Sequence, residues 1–160
     1  MTQPVDAVHF RMLIDGRLNG DMPLPDDMQF APFDPSRHAR AGRELLNVSF
    51  RDGGGEVLAF DEWWDMLIED DEYDPELCFV IEMIDTGKVI AFAQCWVTGF
   101  IKDIAVHPEY RLRGIGRCLM ERIFHEFERR KVPKVDLRAR KDNPNGALQF
   151  YKRLGMVIVI

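Results

Sequence analysis

From Arg111 to Arg117 the chain reads Arg-Leu-Arg-Gly-Ile-Gly-Arg, three guanidinium groups and two glycines in one short stretch. Gly114 and Gly116 carry no Cβ, so a ligand can approach the backbone closely. The apolar positions Ile115, Leu119, Ile123 and Phe127 follow at helical spacing. That spacing predicts an amphipathic helix running to about Arg130. The first backbone N–H groups of a helix have no intrahelical partner, and the helix dipole adds roughly half a positive charge at that end. Arg111, Arg113 and Arg117 add full charges. The stretch therefore suits an anion such as a phosphate or pyrophosphate, a solvated basic turn being the plainer alternative. It is not a dinucleotide fingerprint, because Leu119 stands where the third glycine belongs. No Gly-Lys-Ser/Thr follows, so it is not a nucleotide phosphate loop of that kind either.

The elements that must position this loop can be read on both sides of it. Phe100 to Val106 is a strand that runs into His107 and Pro108. Before it, Leu77 to Ile84 and Val89 to Val97 read as a hairpin about the turn Asp85-Thr86-Gly87-Lys88. Antiparallel neighbours joined by short turns are expected there. After the loop helix, Val135 to Ala139 is a strand. A short helix starting within Lys141–Asn145 carries Ala147, Leu148, Tyr151 and Leu154 and ends at Gly155. Met156 to Ile160 is an apolar last strand. Toward the N-terminus, Val5 to Ile14 suits a strand closed by Asp15-Gly16, residues 17–27 a loop, and Met28 to Phe33 a second strand. Asp34-Pro35-Ser36 starts a helix over Arg37 to Phe50. Gly53-Gly54-Gly55 reads as a flexible loop. Asp61 is the expected N-cap of a further helix with Trp63, Trp64, Leu67 and Ile68 on its apolar stripe, closed by the acidic loop Glu69 to Glu76.

Composition narrows the function classes. A chain of 160 residues with 46% hydrophobic content suits one globular domain with a sizeable core. No apolar run approaches the ~18 residues of a membrane span, and the N-terminus lacks the basic-then-apolar pattern of a secretory signal. Cys78, Cys95 and Cys118 are scattered and odd in number, which speaks against a disulfide framework or a metal site and for a reducing cytoplasm. Residues 1–100 hold 7 Lys and Arg against 20 Asp and Glu, whereas residues 101–160 hold 14 against 7. The basic C-terminal part suits a polyanionic ligand, while the net charge of −6 argues against nucleic acid as the main partner.

Arg111-x-x-Gly114-x-Gly116, preceded by Val106-His107-Pro108-Glu109-Tyr110, resembles the acetyl-CoA pyrophosphate loop of the GNAT superfamily of N-acetyltransferases. A second stretch, Asn143 to Met156, resembles the family's Asn-x-x-Ala-x-x-x-Tyr-x-x-x-Gly-Phe, with Ala147, Tyr151 and Gly155 at matching spacing. Pro144 takes the expected place of the asparagine, between Asn143 and Asn145, and Met156 replaces the usual aromatic. The resemblance covers about residues 28–160 and implies an α/β (α+β) fold: a mixed, largely antiparallel central sheet flanked by helices. Residues 1–27 are then an extension carrying an extra N-terminal strand, packed on the domain or on a partner. The family's usual final strand is missing. An open apolar edge at Met156–Ile160 is seldom tolerated, so the N-terminal strand or a second copy, as a homodimer, is expected to cover part of the sheet.

The resemblance also implies chemistry. An amine attacks the thioester of acetyl-CoA and the CoA thiolate leaves. Backbone N–H groups of Leu112, Arg113, Gly114, Ile115, Gly116 and Arg117, with Arg111, would hold the pyrophosphate. The strand residues Ile104, Ala105 and Val106 would pair with the pantetheine arm and polarise the thioester carbonyl, and Asn143 is a further cofactor contact. Tyr151 matches the family's general acid for the leaving thiolate. A lysine-like amine costs roughly 4–5 kcal/mol to deprotonate at pH 7. Asp103, just upstream of the loop, is the first choice of base, with Glu82 and the run Glu69 to Glu76 as alternatives; His107 is read as structural. The acceptor is a primary amine of a small molecule or peptide. Asp61, Glu62, Asp65 and Glu69 to Asp74, with Trp63, Trp64 and Tyr73, suggest a cationic one. The rival is an acyl-CoA-binding sensor or interaction module without turnover.

Overall fold

The computed structural model describes residues 6–14, 22–53 and 56–160. Its strands are β1 (Ala7–Leu13), β2 (Met28–Ala31), β3 (Cys78–Met83), β4 (Val89–Trp96), β5 (Phe100–Val106), β6 (Lys134–Arg140) and β7 (Val157–Val159). Its α-helices are α1 (Arg40–Gly53), α2 (Phe60–Glu69), α3 (Ile115–Arg129) and α4 (Ala147–Arg153). The strands form one sheet in the order β2-β3-β4-β5-β6-β1-β7. All neighbours are antiparallel except β5 and β6, which run parallel.

β4 lies near the middle of this sheet and is apolar on both faces, as a doubly covered strand must be. Phe92 packs with Leu45, Leu46, Trp63 and Leu67 of α1 and α2 on one face. Ala91 and Ala93 pack with Leu119, Phe124 and Phe127 of α3 on the other, in the cluster that also holds Phe10, Leu137 and Tyr151. At Gly42 a Cβ would come within 2.9 Å of the Phe92 ring, so α1 lies on β4 at a distance only glycine permits.

The N-terminal strand is not appended to an edge. β1 inserts between β6 and β7, antiparallel to both. Its register is fixed by Asp136, which stands opposite Arg11. Arg11 donates through Nε and Nη2 to the two Asp136 oxygens at 2.8 and 2.9 Å, and His9 Nε2 lies 2.8 Å from the same carboxylate. A forked guanidinium–carboxylate pair of this kind gives direction as well as energy. These contacts hold Asp136 below the usual carboxylate range. The sequence expectation that the N-terminal strand covers part of the sheet is met along one side of β7. The other side has no strand partner among the described residues.

Three helix starts differ from expectation. Asp34 does cap a helical start, accepting from Ser36 N–H at 3.0 Å, but the first turn, Pro35–Ala39, is π-helical before α1 begins. The N-cap of α2 is Ala59, not Asp61. Asp61 and Glu62 sit inside the first turn, where they favour the positive end of the dipole. α4 starts at Ala147 rather than within Lys141–Asn145, because Asn143 Oδ1 accepts from Asn145 N–H at 2.8 Å and Gly146 turns the chain at φ 75°. The Asp15-Gly16 turn, residues 17–21 of the expected loop, and Gly54-Gly55 lie outside the described residues. All three cysteines are free and buried. Among the described residues no helix is long and apolar enough to cross a membrane, and no group of side chains suits a metal ion.

Candidate active site

Two irregularities in β5 make the site. Against β4, Gln94 pairs with Asp103 but Cys95 pairs with Ile101, so Lys102 is an extra, bulged residue. Against β6, the parallel pairing holds only at Phe100–Asp136 and Ile101–Leu137. Beyond Ile101 the two strands part. The backbone of Ile104, Ala105 and Val106 then runs along an open wedge instead of a ladder.

The wedge leads to the loop. A 3-10 turn over Pro108–Tyr110 follows β5, capped by His107, whose Nδ1 accepts from Glu109 N–H at 3.2 Å. Burial, then the Lys88 charge, pushes the His107 imidazole below its ordinary value. It is therefore a neutral cap. Arg111 folds back, donating through Nε to the Val106 carbonyl at 3.3 Å. Leu112 is fully exposed and held at φ 66°, a conformation that costs an L-residue ~1–2 kcal/mol. Gly114 follows at φ 77°. The helical ladder of α3 starts when Cys118 N–H reaches the Gly114 carbonyl at 3.1 Å, so the N–H groups of Ile115, Gly116 and Arg117 precede it. Arg113 makes one loose exposed pair with Asp27 at 3.6 Å, and Arg117 is exposed. Gly116 has a second reason to be glycine: a Cβ there would meet Phe150 Cζ at 3.3 Å and Val106 Cγ2 at 3.8 Å. The first turn of α3 thus sits between the end of β5 and α4.

Tyr151, the next residue on α4, is buried, with its ring 5.5 Å from Phe10 and 5.3 Å from Phe150. Its hydroxyl makes no hydrogen bond among the described residues. Burial alone pushes its pKa up to about 12, so the phenol keeps its proton at any working pH. Asn143 spends its side-chain oxygen on the turn before α4.

Asp103 faces the other side of the sheet. It lines a pocket of about 240 Å³ with Arg43, Trp63, Gln94 and Lys102. Burial raises its carboxyl pKa, against the opposing charges of Lys102 and Arg43. A raised pKa makes a carboxylate a better base. The alternatives are engaged elsewhere. Glu82 is held by Gln29 at 3.0 Å, His38 at 3.2 Å and Arg37 at 3.3 Å. Asp74 and Glu76 pair with Arg130 at 2.8 and 3.3 Å, and Glu72 accepts from Thr98 at 2.7 Å. Of the run Glu69 to Glu76 only Asp70 lines the pocket. Trp64 and Tyr73 pack into the α1–α2 core instead. Sequence reasoning missed Arg43, Gln94 and Lys102. Gln94 did carry a signal: it is the one polar residue in the apolar run Val89–Trp96.

The chain belongs to the GNAT family of acetyltransferases: residues 40–156 match the profile of the Acetyltransferase (GNAT) family. It is 35% identical over 77 residues to the ribosomal protein bS18-alanine N-acetyltransferase of Escherichia coli K12, a match covering 46% of this chain and 51% of that one. It is 34% identical over 92 residues to an uncharacterized N-acetyltransferase of Methanocaldococcus jannaschii, covering 51% of this chain and 39% of the other. The chain spans about half the length of these curated relatives or less. Among solved structures, a GCN5-related N-acetyltransferase from Sphaerobacter thermophilus superposes with a TM-score of 0.81 at 24% identity, over 98% of this chain and 50% of that one. A tandem GNAT protein from the clavulanic acid biosynthesis pathway superposes with a TM-score of 0.68 at 14% identity, over 98% and 51%. At these identities the likeness is one of fold.

Proposed function

We propose that this protein is an N-acetyltransferase that moves the acetyl group of acetyl-CoA directly to a primary amine of a small molecule or peptide. The observation that carries this reading is the wedge between β5 and β6, opening beyond Ile101 onto the N–H groups of the 111–117 loop. These residues fit the cofactor. The loop N–H groups from Leu112 to Arg117, with Arg111, Arg113 and Arg117, suit its pyrophosphate. The backbone of Ile104, Ala105 and Val106, laddered to β4 on one side but without a strand on its β6 side, suits an amide chain laid along that open side, and can donate to an oxygen where negative charge develops. Asn143 retains its amide N–H groups for a further contact.

Acetyl-CoA supplies an activated thioester. The protein supplies the proton traffic on either side of it. Asp103, raised by burial and lying in the pocket on the α1–α2 face, takes the proton of the incoming ammonium. Tyr151, in the core on the α3–α4 face, holds a proton ready for the leaving sulfur. Asp70 in the pocket and the exposed Asp61, Glu62, Asp65 and Glu69 around α2 draw in a positively charged amine. The test is release of CoA thiol when the full chain is mixed with acetyl-CoA and a panel of primary amines. Amine-dependent release is expected. CoA binding without release for any amine would leave a binding module and refute the transfer.

A further inference from the structure

The pocket holding Asp103 contains two groups that acetyl transfer to a bare amine does not use. Arg43 is 1% exposed. Its Nε donates to Asn47 Oδ1 at 3.0 Å and its Nη2 to the Glu56 carbonyl at 3.0 Å. No carboxylate among the described residues forms an ion pair with it. Its counter-charges, Asp103 and Glu56, share the pocket without a direct contact, and burial pushes this guanidinium's pKa down against them. Gln94 is 0% exposed and donates to the Cys95 carbonyl at 3.1 Å, while its Oε1 has no hydrogen-bond partner. An orphaned acceptor of this kind costs about 1–3 kcal/mol unless a ligand supplies the N–H. So Arg43 has no direct anionic partner among the described residues, only Glu56 and Asp103 at longer range, and the opposite strand lacks a donor. The space of about 240 Å³ is of amino-acid size, and Leu58, Trp63 and Trp96 give it an apolar side.

We propose that the acceptor is a small zwitterion, an amino acid or a compound of that size, whose carboxylate sits on Arg43 and Lys102 and whose amine faces Asp103 and Gln94 Oε1. This rests on reading the pocket as the acceptor side of the acetyl transfer, and it narrows the cationic attraction of the acidic rim to the amine end of the acceptor. Lys102 reaches the pocket because it is the bulged residue of β5, and it is exposed. Its replacement therefore tests the site without removing a buried group.

The experiment is calorimetric binding of L-leucine, L-methionine and L-phenylalanine, and of their carboxamides, to the full chain saturated with CoA. Thiol release from acetyl-CoA is followed in parallel. At least one free acid is expected to bind about tenfold tighter than its amide, the size of one charge-assisted contact. Lys102→Gln is expected to shrink that preference by about threefold or more, with the amide's affinity unchanged. Acids and amides binding within about twofold of each other in all three pairs, or no binding below about 10 mM, would overturn the proposal. Tight binding of the acids with no thiol release would instead uphold the pocket and remove the transferase reading. Equal thiol release with acids and amides would uphold the transferase and remove the zwitterion.

Discussion

Replacing Tyr151 with phenylalanine separates chemistry from packing in this fold. The hydroxyl sits on a buried ring and makes no hydrogen bond among the described residues, so its removal leaves no partner stranded. Stability at pH 7 is expected to change by less than about 0.5 kcal/mol. If the phenol donates to the departing thiolate, the variant loses a hydrogen bond to a charged group, worth about 1.5–3 kcal/mol. That is a fall of about 10- to 150-fold in kcat at saturating acetyl-CoA. The same residue makes an independent thermodynamic prediction. Its pKa is raised by burial from 10.0 to about 12, so the unfolded chain releases the proton first. The neutral phenol's contribution is intact below pH 10 and is lost as the pH rises toward 12. The loss is roughly 3 kcal/mol. Tyr73 is raised to about 12 as well, but it is common to both proteins and cancels in the comparison. Urea unfolding of both proteins between about pH 9 and 11.5 should show wild type losing ground to Tyr151→Phe. An unchanged kcat would remove Tyr151 from the chemistry. A fall in kcat accompanied by lost stability at pH 7 would reassign the effect to packing.

Asp103→Asn is expected to lower kcat/KM by about 10²–10⁴-fold and to abolish the acidic limb of the pH profile, which burial places above the ordinary carboxyl value of 3.8. A surviving acidic limb would exclude Asp103 as the base. Gly116→Ala puts a Cβ 3.3 Å from the Phe150 ring, which can yield. Folding should survive at a cost of about 1 kcal/mol, while CoA affinity by calorimetry falls about tenfold. Gly99→Ala is far harsher, because its φ is +99° and the new Cβ would lie 2.3 Å from the Lys134 carbonyl oxygen. A loss of about 4 kcal/mol or more in urea unfolding is expected. Asp136→Asn breaks the fork to Arg11 and should cost about 1–3 kcal/mol at pH 7. Because the folded-state pKa of Asp136 is depressed, that difference is complete above 3.8 and closes as the pH falls through the lower folded value.

The elements around the loop were legible because each has a strong local cause. β5 occupies Phe100–Val106 as its apolar run indicates, and α3 follows the 3.6-residue spacing of Ile115, Leu119, Ile123 and Phe127. The glycines of the loop were legible as a place for a ligand. Gly116 was only half read, since its contact with Phe150 joins residues far apart in sequence. The insertion of β1 between β6 and β7 could not be read at all from local pattern. It depends on which strand edge is free and on a carboxylate, Asp136, that looks like any strand-edge charge until Arg11 and His9 arrive. The division of labour within the acidic run is hidden for the same reason. Its charges are visible in the sequence, but Arg130, the C-cap of α3, pairs with Asp74 and Glu76, and of the run only Asp70 reaches the pocket.

The bulge at Lys102 joins the fold to the chemistry. In a regular strand Ile101 and Asp103 would lie on one face, because side chains alternate with period 2. Here Ile101 packs in the core with α3, whereas Asp103 opens into the pocket against Arg43 of α1 and Trp63 of α2. One extra residue produces that change of face. It lies immediately after Ile101, the last residue of β5 paired with β6. The same short segment therefore aims the carboxylate toward the acceptor side and begins the wedge. Restoring the alternation would return Asp103 to the apolar α3 face, where an ionised carboxylate has no partner. The carboxylate at this position and the bulge beside it thus depend on each other, which is how a charge comes to stand on a strand in the middle of the sheet.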